Sequence, residues 1–314
     1  MKKILITGGA GFLGRHLAQR LKSDYQVLLG SRNNGNNMMA ALQTGCAVVP
    51  LDITSEKSIR DVLNEFRPDT IIHAAATKYV DISEKNPLEC IDVNIVGSQN
   101  IARLAIDYGV ENVIGVSTDK AAPPVGNIYG HSKAVMERLF SSLNGRTATK
   151  FVCVRFGNIA WSTGSVFPIW ERMTQVDKKV GTTGPHMRRF FFTVHDAAEL
   201  VITAARQIGQ LQGGILSLKM KAAQISDILK VWSKYFDVPY EEISARPGDK
   251  LDEVLIGKIE LPHVQQVEIA GKGYYFIDFY KKFQNDLTDE VSSFNTERLD
   301  EKEMLHLITI KPDS

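Results

Sequence analysis

Three glycines near the N-terminus follow directly on a short apolar strand. The run Lys3–Thr7 leads into G-G-A-G-F-L-G, and a helical pattern at residues 15–22 comes next. Glycines let a backbone turn tightly and approach a pyrophosphate, and the following helix offers free N–H groups and a positive dipole end. Because a strand precedes the glycines and a helix follows them, the sequence predicts a dinucleotide-binding unit. We expect the cofactor to contact Gly8, Gly11, Phe12, Leu13 and Gly14.

The end of the second predicted strand bears on which dinucleotide is bound. The strand at residues 26–29 is followed by Gly30, Ser31 and Arg32, with no acidic residue. An NAD site usually places an acid there to bind the ribose 2′-hydroxyl. Arg32 can instead pair with a 2′-phosphate, with Ser31 adding a hydrogen bond, which indicates NADP(H). The alternative is an arginine that is merely solvated in a loop.

Two further strand ends are expected at the cofactor. The third strand, residues 47–51, is followed by Asp52 and Ile53. Asp52 has two interpretations: it accepts a hydrogen bond from the adenine amino group, or it caps the helix that begins at residues 54–56. The fourth strand, residues 70–73, is followed by small residues that let the cofactor pass close, and then by a loop that faces the substrate. These positions are Ala74, Ala75, Ala76 and Lys78.

The alternation of strands and helices continues along the chain. A long helix is expected at residues 86–108, and further strands at residues 113–116 and 150–156. This alternation predicts an α/β fold, a Rossmann-type doubly wound parallel sheet with ligands at the carboxyl ends of its strands. His73 fits a packed core position better than a catalytic one, and Asn94 on the long helix is placed to brace the backbone of the site.

The chain changes character after residue 158 and becomes rich in loops. We predict a mainly NADP-binding Rossmann domain at residues 1–158, with segments that return to it at about 194–220. Residues 159–193 and 221–314 then form a smaller substrate-binding region. Arg189 precedes three phenylalanines, and this segment is either a basic surface turn or a clamp for a diphosphate. Arg246 in a polar turn is a second candidate phosphate contact.

Residues 117–133, S-T-D-K-A-A-P-P-V-G-N-I-Y-G-H-S-K, concentrate the reactive side chains. Tyr129 and Lys133 lie four positions apart on one predicted helix face, where side chains meet. A phenol has a pKa near ~10, and a nearby ammonium favours the phenolate. A phenolate can take a proton from a sugar hydroxyl while hydride leaves the same carbon. Such a pair also occurs on ordinary helices, so its meaning depends on the other motifs.

Composition excludes some classes of protein. Lys+Arg 37 against Asp+Glu 36 gives a net charge of +1, which does not support a general nucleic-acid or membrane surface. Cys46, Cys90 and Cys153 are scattered, as expected of buried thiols rather than of a disulfide framework or a metal site. No stretch approaches the ~18 apolar residues of a spanning helix. A soluble cytoplasmic protein is expected.

Several motifs together resemble one family. They are S-T-D-K-A at 117–121 with Tyr129 and Lys133, R-F-G-N at 155–158, G-S-V-F-P at 164–168, R-F-F-F-T at 189–193 and R-P-G-D-K-L-D-E-V-L-I at 246–256. The chain resembles the extended short-chain dehydrogenase/reductases, and more narrowly the soluble UDP-N-acetylglucosamine 4,6-dehydratases of bacterial sugar biosynthesis. The resemblance runs from residue 1 to about residue 308.

The resemblance implies a mechanism. Tyr129, assisted by Lys133, removes the proton of the sugar 4-hydroxyl as hydride passes from C4 to NADP⁺. Lys120, if neutral, removes the C5 proton, and a protonated Asp119 donates to the departing C6 hydroxyl. Hydride then returns to C6, so that a tightly bound NADP(H) is regenerated in each turnover. The remaining implied contacts are Thr118 to the sugar, Lys78 in the loop facing it, Asn158 to the nucleotide, and Arg189 and Arg246 to the diphosphate.

The Asp119–Lys120 pair favours a dehydratase, because a plain epimerase needs no acid and base at C5 and C6. The alternatives are a nucleotide-sugar 4-epimerase, a 4,6-dehydratase of another nucleotide sugar, and a non-catalytic NADP-binding protein. The resemblance also implies a UDP-sugar substrate and a homo-oligomer. The sequence leaves open whether the configuration at C5 is inverted or retained.

Overall fold

A parallel β-sheet lies at the centre of the protein, and the computed structural model describes residues 1–243 and 250–312. The strands are β1 Lys3–Thr7, β2 Gln26–Ser31, β3 Ala47–Pro50, β4 Thr70–His73, β5 Asn112–Val116, β6 Lys150–Arg155, β7 Asn158–Ile159, β8 Val180–Thr183, β9 Arg188–Phe192, β10 Ile215–Leu218, β11 Ala222–Gln224, β12 Tyr240–Ile243, β13 Val254–Ile256, β14 Val264–Ile269, β15 Lys272–Ile277 and β16 Val291–Ser292. The helices are α1 Phe12–Leu21, α2 Asn34–Thr44, α3 Glu56–Phe66, α4 Val80–Lys85, α5 Pro87–Ile91, α6 Gly97–Asp107, α7 Ile128–Leu143, α8 Val166–Val176, α9 Val194–Arg206, α10 Ile208–Leu211, α11 Ile225–Phe236 and α12 Glu301–Thr309.

The central sheet has the strand order β14-β15-β10-β6-β5-β4-β1-β2-β3 among the described residues. The strands from β10 to β3 run parallel, whereas β14 and β15 add an antiparallel edge. The segment β3-β2-β1-β4-β5-β6 is the order of a Rossmann fold, whose ligand crevice opens where the order reverses, between β1 and β4. The predicted doubly wound α/β fold is confirmed.

The predicted elements differ from the observed ones mainly at their ends. β2 runs on to Ser31, and the long helix predicted at residues 86–108 is divided into α5, a π-helical segment Asp92–Val96 and α6. A π-helical segment inside a helix often marks a functional position. Here it carries Asn94, whose side chain leaves the helix to bind a neighbouring loop.

Apolar side chains from both faces of the sheet form the main core, because the parallel strands are covered by helices on either side. A second, aromatic core lies beside it and includes Trp161, Phe167, Trp170 and Trp232. The cysteines at positions 46, 90 and 153 are free and buried, as predicted. Among the described residues, no helix has both the length and the apolar character needed to cross a membrane.

Two glycines of the N-terminal loop are required by close backbone contacts. Gly8 has a φ of +69°, and a Cβ there would lie 2.7 Å from the backbone nitrogen of Ala75. A Cβ on Gly14 would lie 2.6 Å from the Cα of Gly9. A larger residue at position 8 would therefore push the turn between β1 and α1 away from the segment that follows β4, and one at position 14 would collide with the turn itself.

Candidate active site

A cavity of about 630 Å³ runs along the carboxyl ends of the parallel strands. Most of the predicted cofactor and substrate contacts line it. They are Gly8, Gly11, Phe12, Leu13, Gly14, Ser31, Arg32, Ile53, Ala74, Ala75, Ala76, Lys78, Thr118, Lys120, Tyr129, Lys133 and Asn158. None of the residues lining it within the described ranges is acidic, whereas four are basic: Arg32, Lys78, Lys120 and Lys133. A cavity of this kind favours an anionic ligand.

At one end of the cavity, helix α1 begins without a side-chain cap. Its N-cap is Gly11, which has an extended conformation and offers no hydrogen-bond acceptor on a side chain. The first N–H groups of a helix have no partner inside the helix. The N–H groups of the first turn, at Phe12, Leu13 and Gly14, are therefore available to a ligand in the cavity. This arrangement fits a pyrophosphate.

The end of β2 forms a polar wall of the same cavity. The hydroxyl of Ser31 donates to Asn37 Oδ1 over 2.7 Å. Arg32 is about half exposed, with Nη2 3.8 Å from Glu89 Oε1, and it reaches the cavity beside Asn33 and Asn36. An exposed guanidinium that is held only by one distant carboxylate is available to bind an anionic group.

Asp52 does not line the cavity. Its Oδ1 accepts from the backbone N of Thr54 over 2.9 Å and from Thr54 Oγ1 over 2.8 Å, which closes the turn before α3. The N-cap of α3 itself is Ser55, whose side chain accepts from the backbone N of Ser58. The Oδ1 atom of Asp52 thus closes a local turn, close to the capping alternative, and the adenine contact stays a prediction.

Arg189 likewise lies outside the cavity wall. Its side chain is 12% exposed and donates to the backbone oxygens of Arg188 and Lys250 and to Met187 Sδ. Its Nε lies 3.8 Å from Glu253 Oε1. In the folded chain Arg189 thus holds the segment after residue 250, and its role as a diphosphate clamp stays a prediction. The other candidate, Arg246, lies outside the described residues.

Tyr129 and Lys133 share the first turns of α7, as predicted. The N-cap Asn127 accepts from the backbone N of Gly130 over 2.7 Å, which starts the helix beside the site. Lys133 Nζ donates to the backbone O of Val116 over 2.8 Å, and burial lowers the pKa of this lysine to about 8. Burial raises the pKa of Tyr129 to about 12, against the opposing effects of Lys120 and of a hydrogen bond with Thr118. The expectation that Lys133 lowers this pKa is therefore not met in the structure.

The acidic and basic pair one loop away is arranged by a short turn. Asp119 and Lys120 open a 3₁₀ turn, Asp119–Ala121, with Thr118 as its N-cap. Lys120 Nζ donates to Asp119 Oδ1 over 3.0 Å, and Thr118 Oγ1 donates to the same oxygen over 2.9 Å. The Asp119 side chain is fully buried behind the cavity wall, and its Oδ2 has no hydrogen-bond partner among residues 1–243 and 250–312.

Lys120 keeps its proton in this environment. Burial acts to lower the pKa of its amine, but the carboxylates of Asp119 and Glu253 outweigh burial, so the pKa is raised. Glu253 Oε1 lies 3.4 Å from Lys120 Nζ. Lys120 is therefore held as an ammonium in the folded chain, and it is the member of the pair that lines the cavity. The acid and base roles expected of the two residues stay predictions.

Some polar groups at the site carried no sequence prediction. Glu253 is part of the motif at residues 246–256, but only its position beside Lys120 reveals its effect. The buried hydroxyls of Thr77, Ser117 and Ser165 line the cavity and have no hydrogen-bond partner in the part of the chain that the structure describes. Lys78 Nζ donates to the backbone O of Thr163 over 2.7 Å, across the cavity. The hydroxyls follow strand ends or glycine-rich turns, which is a weak signal.

Two predictions about supporting residues are confirmed. The amide of Asn94 accepts from the backbone N of Thr77 over 2.8 Å and donates to its backbone O over 2.9 Å, so it braces the loop after β4. His73 is fully buried between the hydroxyls of Thr7 and Ser98. Burial, with a smaller effect of Lys133, lowers the pKa of His73 to about 3, as expected for a neutral core residue.

Comparison with known proteins gives relatives along most of the chain. A capsular polysaccharide biosynthesis protein, CapD, of Staphylococcus aureus is 36% identical over 95% of this chain, but the match spans only 52% of that relative. An inverting UDP-N-acetylglucosamine 4,6-dehydratase of Campylobacter jejuni is 31% identical over 96% of this chain and 89% of its own. A UDP-glucose 4-epimerase of Rickettsia bellii is 32% identical over 98% and 95%. The chain thus spans about half the length of the staphylococcal relative.

Solved structures and a family model match the same length of chain as the similar sequences. The X-ray structure of Pen from Bacillus thuringiensis superimposes with a TM-score of 0.88 at 28% identity, covering 98% of this chain and 96% of that one. The family model described as polysaccharide biosynthesis protein matches residues 4–270, well over half of the sequence. This chain therefore belongs to the polysaccharide biosynthesis protein family, a group within the extended short-chain dehydrogenase/reductases.

Proposed function

We propose that this chain is an NADP(H)-dependent nucleotide-sugar 4,6-dehydratase that acts on UDP-N-acetylglucosamine. The observation that carries the proposal is the Asp119–Lys120 pair beside Tyr129, at one cavity that is otherwise built for an anionic dinucleotide. An epimerase needs proton transfer only at the 4-hydroxyl, whereas loss of water across C5 and C6 needs a second acid–base group. We further propose that the protein works in the cytoplasm as a homo-oligomer.

The choice of NADP(H) rests on the end of β2. The wall there offers Ser31, Arg32 and two asparagines, and no acidic side chain that would suit a free 2′-hydroxyl. The uncapped first turn of α1 would hold the pyrophosphate and Arg32 the 2′-phosphate. When bound, the oxidised cofactor supplies the hydride acceptor and a positively charged ring.

Tyr129 is the group that receives the proton of the 4-hydroxyl at its Oη. It must be a phenolate to do so, and its buried position opposes that charge. The Lys120 ammonium, which lines the same cavity, favours the phenolate. Lys133, one turn further along α7, donates to the backbone O of Val116 in β5, which holds this lysine at the cavity wall.

The Asp119–Lys120 pair removes the C5 proton, protonates the departing O6 and later returns a proton to C5. Transfer of the Lys120 proton to Asp119 Oδ1, 3.0 Å away, leaves a neutral amine at the cavity wall and a buried carboxylic acid. The amine then accepts the C5 proton and passes a proton to the departing O6, which leaves as water. Asp119 then gives its proton back to Lys120, and Lys120 uses it to protonate C5. The pair therefore acts as one unit, as strongly interacting groups do.

The test is incubation with UDP-N-acetylglucosamine in deuterated water, followed by proton NMR. We expect a new methyl signal, deuterium at C5, and no consumption of added cofactor. Lys120→Met should abolish the methyl signal and leave NADPH binding intact, while the exposed control Lys57→Met should behave as the wild type.

The alternatives give different results in the same experiment. A 4-epimer without a methyl signal would identify an epimerase, which the similarity to the Rickettsia bellii enzyme makes the second candidate. If only another nucleotide sugar gave a methyl signal, that sugar would be the substrate in place of UDP-N-acetylglucosamine. NADPH binding without turnover of any nucleotide sugar would indicate a non-catalytic protein.

A further inference from the structure

Three buried polar side chains that the proposed mechanism does not use are joined in a row. Thr7 Oγ1 lies 2.8 Å from His73 Nδ1, and His73 Nε2 lies 3.0 Å from Ser98 Oγ. Ser98 Oγ lies 2.5 Å from the backbone O of Asn94, and the backbone N of Ala75 lies 3.3 Å from Thr7 Oγ1. The row therefore begins and ends on backbone groups, at Ala75 in the cavity wall and at Asn94 in the π-helical segment.

The direction of each bond in this row follows from counting protons. A carbonyl oxygen only accepts, so the single hydroxyl proton of Ser98 is given to Asn94 O. Ser98 Oγ then accepts from His73, which places a proton on Nε2 of the ring. Because a neutral imidazole carries one N–H, Nδ1 accepts from Thr7, and Thr7 Oγ1 accepts from the N–H of Ala75. An imidazolium would leave the hydroxyl proton of Thr7 without an acceptor in the row.

Burial prevents water from replacing a broken bond in this row. Thr7 and His73 are 0% exposed and Ser98 is 1% exposed. Burial also keeps the ring neutral, because it lowers the pKa of His73 to about 3. A buried donor or acceptor that loses its partner stays unpaired, and the backbone that it held is then free to shift.

Both ends of the row hold one segment of the cavity wall, residues 74–77. Ala75 lies against the glycine turn, since a Cβ on Gly8 would be 2.7 Å from the backbone nitrogen of Ala75. Asn94 holds the other end of the segment, because its side chain accepts from the backbone N of Thr77 and donates to the backbone O of Thr77. The row thus ties this segment to β1 on one side and to α6 on the other.

We propose that His73, as the neutral tautomer protonated at Nε2, is a positioning residue that holds residues 74–77 in place for the dinucleotide; this inference rests on the cofactor site of the proposed function. His73 does not line the cavity, and it acts through the N–H of Ala75 and the carbonyl O of Asn94. One ring nitrogen must accept from Thr7 while the other donates to Ser98. An apolar side chain could fill the same space in the core and would supply neither bond.

Two matched threonines separate positioning from a purely structural role. Thr7→Val removes the hydroxyl and keeps the shape, whereas Thr7→Ser keeps the hydroxyl. Thr44 is the control, because it is also buried and its hydroxyl also donates once, to Ala40 O, and accepts once, from Cys46 N, away from the cavity. NADPH binding is measured by fluorescence titration, kcat by the methyl signal from UDP-N-acetylglucosamine, and Tm by circular dichroism.

We expect Thr7→Val and Thr44→Val to lower Tm by similar amounts, because each loses the same two kinds of hydrogen bond. Only Thr7→Val should bind NADPH about tenfold more weakly and lower kcat by about 10- to 100-fold, since small displacements of supporting groups have large effects on a bound geometry. Thr7→Ser should behave as the wild type in all three measurements. If Thr7→Val does not fold, Ser98→Ala breaks the row at its other end and should weaken NADPH binding in the same way.

The tautomer is tested directly on the wild type. Nitrogen-15 NMR of histidine-labelled protein should show a ring with a protonated Nε2 and an unprotonated Nδ1, assigned to His73 by its change in Thr7→Val or Ser98→Ala. A proton on Nδ1, or on both nitrogens, would overturn the direction of the row and the proposal with it. Equal NADPH affinity in Thr7→Val and Thr44→Val would leave His73 a core residue only. If the wild type bound no NADPH, the cofactor site of the proposed function would be wrong, and this inference would fall with it.

Discussion

Arg155 allows a sharp test of what stabilises this fold. Its fully buried guanidinium donates to both oxygens of Glu137, over 2.9 and 2.7 Å, and to both oxygens of Glu260, over 2.9 and 2.8 Å. Removing one member of a buried ion pair typically costs about 3–5 kcal/mol, because an unpaired charge remains. Arg155→Met leaves two buried carboxylates facing each other, so we expect the free energy of unfolding to fall by about 5 kcal/mol. At roughly 2 °C per kcal/mol for a large domain, Tm should fall by about 10 °C.

The assay is thermal unfolding by circular dichroism, supported by urea denaturation midpoints. Combining Arg155→Met with Glu137→Gln and Glu260→Gln removes all three charges. This triple variant should recover much of the stability that Arg155→Met loses. Lowering the pH from about 8 to about 5 should also reduce the loss in Arg155→Met, since protonation neutralises stranded carboxylates. Lys57→Met, in an exposed ion pair, is the control and should leave Tm unchanged. A loss below about 1 kcal/mol in Arg155→Met, or no recovery in the triple variant, would refute the reasoning.

Three further changes test the site and its surroundings. Arg32→Ala should weaken NADPH binding about tenfold and leave NADH binding unchanged, as measured by fluorescence titration, because one charge-assisted hydrogen bond to a phosphate is lost. Glu253 raises the pKa of Lys120, so Glu253→Gln should shift the pH–rate profile to lower pH. An unshifted profile would show that Glu253 does not control the protonation of Lys120 during the reaction. The Arg188 hydrogen bond lowers the pKa of Asp252, so this pair stabilises the fold above about pH 4 and the contribution disappears as pH falls below that value. Asp252→Asn should therefore lower Tm at neutral pH and not at about pH 2.5.

The fold could be predicted because its signals are local. A strand that is buried on both faces is a continuous apolar run, and β4, Thr70–His73, was predicted with the bounds observed. The position of the cavity followed from the rule that ligands bind at the carboxyl ends of parallel strands.

Predictions for individual charged residues were less successful, because their partners lie far along the chain. The predicted strand at residues 150–156 ends near Arg155, where ligands are expected, yet this side chain is buried against Glu260, 105 positions away. Arg189 was expected either in a basic surface turn or in a diphosphate clamp, and the sequence did not show that it donates to carbonyl oxygens around residue 250. A guanidinium in a sequence does not reveal whether it meets a ligand or an internal acceptor.

The protonation state of Lys120 shows the same limit within the site. The motif S-T-D-K identifies an acid and an amine that can exchange a proton, but it does not tell which of the two holds the proton or which of them reaches the cavity. Burial alone would release the proton of Lys120, and Asp119 as an immediate neighbour opposes this. Glu253, a buried carboxylate from a distant segment, adds to that opposition and leaves an ammonium at the cavity wall. Proton transfer within the pair must therefore precede removal of the C5 proton in the proposed reaction, and this order follows from a contact that is visible only in the folded chain.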